Sequence, residues 1–136
     1  MTDKSFQLEI ITPQRVVFSD SVTSFTAPGV MGGFQVLHNH APLLSALNIG
    51  EAKLRDEKGN ELRFAVGGGF VEVKTNHVVM LADSVERVDE IDIPRAERAK
   101  ERAEQTLRER KPDLDVEQAQ LALARAFNRL RLANRA

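Results

Sequence analysis

The residues best suited to chemistry in this chain are arginines near its end. Between Gln118 and Ala136 stand Arg125, Arg129, Arg131 and Arg135, with no lysine and no acid, and Arg95, Arg98 and Arg102 lie upstream. The planar guanidinium fork matches phosphate and carboxylate oxygens two at a time. Arg125 and Arg129 are four apart, so on a helix they share a face. Like charges at that spacing repel by a few tenths of a kcal/mol unless an anion or acidic partner sits between them. The plainer reading is a solvated basic face favoured by a helix C-terminus.

Other constellations carry less. Gly67-Gly68-Gly69 lacks the Lys-Ser/Thr pair of a phosphate loop and leads into Phe70-Val71-Glu72-Val73, a strand pattern. Close packing or a bulge between strands explains it better. His38 and His40 would share one face of a strand and could bind a metal, but no cysteine exists and no acid lies within ten positions of either. Loop histidines hydrogen-bonded at a surface are the better reading. Asp89, Glu90 and Asp92 read as a helix N-terminal charge set, not as a catalytic carboxylate pair. No Ser/His/Asp arrangement has motif support, so the residues point away from an enzyme.

The elements that must position these groups fall into two materials. All eight glycines lie between Gly29 and Gly69, whereas residues 91–136 hold none, with nine alanines and eleven Lys/Arg. Residues 1–90 carry a formal charge of -4 and residues 91–136 one of +3, so the parts can attract each other or different partners. Zero cysteines exclude a disulfide framework, and Met1-Thr2-Asp3-Lys4 opens no apolar run of signal-peptide length. The expectation is a cytosolic protein that meets a membrane only through a partner. Nucleic acid is a poor partner, because the first part is acidic and the chain has no Tyr or Trp for stacking.

From Phe6 to about Asp83, short period-two apolar runs alternate with turn residues. Phe6-Leu8-Ile10, Ala52-Leu54, Leu62-Phe64-Val66, Phe70 to Val73 and His77 to Leu81 read as strands. Asp56-Glu57-Lys58-Gly59-Asn60 and Lys74-Thr75-Asn76 read as hairpin turns. The sum is an antiparallel β-sandwich or flattened barrel over residues 1–86. Residues 91–136 then form an antiparallel two-helix hairpin. Asp92 is the expected N-cap, Pro94 fits the first turn, and the first helix should run to Lys111, before Pro112. Its apolar stripe is Ala96, Ala99, Ala103 and Leu107. Asp115 with Gln118 resembles a capping box for a second helix with stripe Ala119, Ala122, Leu123, Ala126 and Leu130. Alanine faces bury little surface, each missing methylene forgoing about 0.8 kcal/mol, so this α+β chain should hold its hairpin weakly.

At this level of detail the chain resembles the epsilon subunits of bacterial F-type ATP synthases over essentially its whole length. The resemblance is carried by Leu8-Glu9-Ile10-Ile11-Thr12-Pro13, His40-Ala41-Pro42-Leu43-Leu44, Val66 to Val73, Leu81-Ala82-Asp83 with Glu86-Arg87, Ile91 to Ala96, and Ala124 to Leu130. It implies a non-catalytic subunit of the rotary central stalk on the cytoplasmic face of the bacterial plasma membrane. Its implied partners are the gamma subunit, the c-ring and, through the helices, the alpha/beta hexamer, whose ATP hydrolysis the extended helices inhibit. Some members bind ATP at the folded hairpin through Ile-Asp-x-x-Arg-Ala. The matching residues are Ile91, Asp92, Arg95 and Ala96, with Glu86 ahead and Arg125 and Arg129 beyond. The resemblance thus makes ATP a regulatory ligand, with no cofactor or metal required.

Two departures fall in the region where the family touches the ring and gamma. The usual Gly-Glu-Leu-Gly-Ile is Gly32-Gly33-Phe34-Gln35-Val36, which lacks the acid, and a Pro-Gly pair is replaced by His38-Asn39. Gly33, Phe34, His38 and His40 therefore mark the expected contact region and not particular contacts. A different class of reading, a stand-alone ATP-binding sensor, predicts a monomer that binds ATP but ignores gamma.

Overall fold

The computed structural model describes residues 4–134, and Arg135 of the expected basic cluster lies outside them. The chain divides into two units, Met1–Arg87 and Val88–Ala136.

The first unit is built from β1 (Phe6–Ile11), β2 (Val16–Ala27), β3 (Phe34–Val36), β4 (Leu43–Asp56), β5 (Glu61–Lys74), β6 (His77–Ala82) and β7 (Val85–Arg87). The order is β1-β6-β5-β4-β2-β3, and a further β1–β2 pairing closes the ring into a flattened barrel. Closure depends on β2. Its first half pairs with β1 and its second half with β3 and β4, and the β2–β4 ladder shifts register between Val22 and Ser24. Such an irregularity bends a strand so that it can leave one layer for the other. Pairing is antiparallel apart from β1 with β6, which run parallel because β1, β2, β4, β5 and β6 form a ring of five and alternating directions cannot close an odd ring.

Period-two alternation sorts side chains between core and solvent. Phe6, Leu8 and Ile10 enter the core from β1, Val22 and Phe25 from β2, and Ala52 and Leu54 from β4. The runs expected as separate strands at Leu62–Val66 and Phe70–Val73 are one strand, β5, which passes through Gly67, Gly68 and Gly69. The β5 register against β4 continues unshifted across the glycines, which excludes a bulge there, and at Gly69 close approach to the β6 backbone explains the residue. The β4–β5 hairpin turns where Asp56 was expected to turn it. Its carboxylate accepts from the backbone N–H of Lys58 and Asn60 and from the Asn60 amide. The Asn60 backbone bond leads the groups that hold the Asp56 carboxyl below its usual pKa of 3.8.

The second unit holds a 3-10 turn, Val88–Glu90, and helices α1 (Ile93–Glu109) and α2 (Val116–Asn134). Asp92 caps α1, its carboxylate accepting from the Arg95 N–H at 3.1 Å, with Pro94 in the first turn. The helix ends at Glu109, two residues short of the expected Lys111. A residue before proline avoids the helical region, so the chain leaves the helix at Arg110, whose φ is 46°. Asp115 Oδ1 accepts from the Gln118 N–H at 3.1 Å and starts α2 as the capping pattern predicted.

Ala96 and Ala103 of α1 and Ala119 and Ala126 of α2 are buried, with Ala99, Leu107, Leu123 and Leu130 half-buried. Ala122, expected in the stripe, is exposed. At about 100° per residue it lies some 60° off the line through Ala119, Ala126 and Leu130. No helix among the described residues is long and apolar enough to cross a membrane.

Candidate functional site

The nucleotide-motif residues occupy one short stretch of the second unit. Ile91 and Asp92 precede α1, and Arg95 and Ala96 fill its first turn, Arg95 exposed and Ala96 buried. Asp92 Oδ1 caps the helix through the Arg95 backbone N–H. Arg125 and Arg129 lie one turn apart on α2 and are both half-buried. The helices run antiparallel, with the Lys100 ammonium 5.1 Å from the centre of the Phe127 ring. A cavity of about 450 Å³ is lined from both helices by Glu97, Lys100, Phe127 and Asn134. The start of α1 and the end of α2 are thus neighbours, and Arg129 falls in the stretch of α2 that faces the opening turns of α1. Glu86 belongs to the first unit, on β7 opposite Ala65.

The expected contact residues flank β3. Gly33 precedes it and is exposed, while Phe34 opens it with its ring packed on the edge of the core and over Gly29. An open groove of about 830 Å³ runs past Gly29, Gly33, Phe34 and Glu51. Val30, which lines it, is 47% exposed, and Met31 and Leu37 on either side of β3 are 96% and 50% exposed.

His38 and His40 lie in the loop after β3 and not on a strand, so the spacing that would align them for a metal does not arise. The His40 N–H donates to the Leu37 carbonyl at 3.1 Å, closing a turn whose third residue, Asn39, has φ of 63°. Positive φ at that position alone is the mark of a type II turn, which Pro-Gly favours and which Asn tolerates. The His38-Asn39 departure therefore keeps the turn while changing its chemistry. His40 Nδ1 stands 2.7 Å from the Ala41 carbonyl, which can only accept, so the proton is on Nδ1.

Sequence reasoning missed the partner of this loop. Asn39 N–H donates to Asn76 Oδ1 at 2.7 Å, and the Asn76 amide donates to Asn39 Oδ1 at 3.0 Å. The two asparagines are 37 residues apart, and the only trace of the pairing in the sequence is an Asn at each turn tip. Lys100 over Phe127 was likewise missed, since helical spacing within one helix says nothing of a partner on another.

Comparison with known proteins agrees with both parts. The family model for the ATP synthase delta/epsilon chain β-sandwich domain matches residues 5–88, and that for the long α-helix domain of the same chains matches residues 89–134. The ATP synthase epsilon chain of Desulforamulus reducens is 44% identical over 130 residues, spanning 96% of this chain and 98% of that one. That of Moorella thermoacetica is 49% identical over 129 residues, spanning 95% and 96%. Among solved structures, a chain of the Euglena gracilis mitochondrial ATP synthase superposes with a TM-score of 0.72 at 24% identity, over 88% of this chain and 76% of that one. At that identity the likeness speaks for the fold.

Proposed function

The chain belongs to the ATP synthase delta/epsilon family, and from that membership we propose that it works as a regulatory epsilon subunit, seated by its β-barrel and controlled through its helices. The observation that carries the reading is the match of both units, end to end, to the two domains of that family. As an epsilon chain it is part of the central stalk, a structural subunit and not a catalytic one.

The barrel binds the gamma subunit and the c-ring through the segments around β3. Exposed Val30, Met31 and Leu37 supply apolar surface there, beside Gly33, Phe34, His38 and His40. The chain thereby sits at the cytoplasmic face of the plasma membrane as a peripheral component of the complex. The helices carry the regulation. ATP binds at the hairpin, its phosphates held by Arg95, Arg125 and Arg129, with Asp92 accepting from base or ribose and Ile91 and Ala96 shaping the turn. Bound ATP favours the folded hairpin. Without it, the helices extend and inhibit ATP hydrolysis, their basic second helix meeting acidic surface on the alpha/beta hexamer.

Small alanine contacts fit this use, because a face that buries little surface is released by a modest difference in affinity. Co-purification tests the assembly role. The chain should elute with gamma in a stable complex, and a monomer that binds ATP while ignoring gamma would favour the stand-alone sensor instead.

A further inference from the structure

We propose that Asn76, on the turn between β5 and β6, is the positioning residue that holds the His38–His40 turn in its partner-binding pose. The inference rests on the reading that this turn belongs to the contact surface. The geometry points to it in three ways. First, the two side-chain amides pair reciprocally, Asn76 accepting from the Asn39 backbone and donating to the Asn39 side chain. Second, both residues hold left-handed backbone, with φ of 63° at Asn39 and 51° at Asn76, a conformation that needs support from its surroundings at each turn. Third, Asn76 is itself anchored, because its carbonyl accepts from the Gln7 N–H at 3.0 Å and so ties the turn to the start of β1.

The need for such a device follows from the residues of the turn. A Pro-Gly pair presets a type II turn covalently, through the fixed φ of proline and the freedom of glycine. His38-Asn39 presets nothing. Left-handed φ costs any residue but glycine energy, and it persists where the surroundings enforce it. Within the turn the His40 N–H to Leu37 bond helps to enforce it. The cross-loop bonds from Asn76 supply the remainder, and they fix the direction in which His38 and His40 project. Asn76 thereby brings the β5–β6 turn alongside the contact surface.

The test replaces Asn76 in the full-length chain. Asn76→Gly keeps the left-handed backbone available while removing the amide, and Asn76→Asp keeps an acceptor for the Asn39 N–H and lets the Asn39 amide turn to donate. Two quantities are read. One is the backbone order of residues 38–40 by ¹⁵N relaxation, and the other is affinity for a gamma–c-ring complex in nanodiscs. Asn76→Gly should lower the order parameters of residues 38–40 from about 0.85 toward 0.6 and weaken binding about tenfold. Asn76→Asp should restore most of both. Unchanged order in Asn76→Gly overturns the proposal whatever binding does. Lowered order with wild-type affinity also overturns it, provided that a chain with both His38→Ala and His40→Ala binds weakly. If that double variant binds like wild type, the contact reading itself fails and takes the proposal with it.

Discussion

Gly69 of β5 lies against the backbone of Leu81 and Ala82 on β6, so close that a Cβ at position 69 would stand 2.8 Å from the Ala82 Cα and nearer still to the Leu81 carbonyl oxygen. Its φ of 137° is also outside the range of L side chains. Both constraints act together at Gly69→Ala, which should destabilise the barrel by about 3 kcal/mol or more, overpacking and strain each contributing 1–3 kcal/mol. Gly59→Ala is the control, because its φ of 86° carries strain but nothing lies within 4 Å. It should cost only about 1 kcal/mol. Urea unfolding followed on the barrel checks both.

Asp92 starts the hairpin through one bond to the Arg95 N–H. Asp92→Ala should weaken the first turn of α1 by about 1 kcal/mol, roughly a fivefold faster hydrogen exchange at the Ala96 amide. Asp92→Ser, which keeps a cap oxygen, should stay near wild type. Equal exchange in all three chains would show that the cap contributes nothing.

Arg125 and Arg129 test the nucleotide reading separately from the cap. Each substitution to Ala should weaken ATP binding by about tenfold, the range of one charge-assisted hydrogen bond. Isothermal titration of the isolated chain measures it, and no heat of binding at millimolar ATP in the wild-type chain would sink the site.

Asp56 gives a pH dependence with a definite sign. Its folded pKa is lowered from 3.8, chiefly by the Asn60 backbone hydrogen bond. A depressed carboxyl contributes stability above its unfolded pKa and loses it as pH falls through the folded value. The loss therefore lies in the acid range below 3.8. An NMR titration of the Asp56 carboxyl should find its midpoint below that of a model peptide, and Asp56→Ala should flatten the stability profile there.

The barrel and hairpin were legible because each rests on local rules. Alternation fixed the core faces of β1 and β6, Asp92 and Asp115 announced both helix starts, and Asp56 to Asn60 announced the hairpin. What was hidden depends on contacts across the chain. The single long β5 was divided because three glycines look like a break until the close approach of β6 to Gly69 is seen. The parallel β1–β6 pair follows from closure of the ring, which no local pattern encodes. Ala122 was misplaced by a fraction of a helical turn. The replacement of Pro-Gly by His38-Asn39 was visible in the sequence, but the pairing of Asn39 with Asn76, 37 residues away, was not. The clustering of the arginines was legible, but whether they act together on an anion or stand as a solvated basic face is a matter of assembly and not of spacing.

The central claim, that the extended helices inhibit hydrolysis and that ATP relieves the inhibition by favouring the folded hairpin, is tested most directly by one comparison. ATP hydrolysis is measured in the intact complex with the full chain and with a chain lacking residues 91–136, across ATP concentration. The truncated complex should hydrolyse faster at low ATP, with the difference shrinking as ATP rises and the hairpin folds. Equal rates at every ATP concentration would contradict the claim and leave the chain a structural stalk subunit alone.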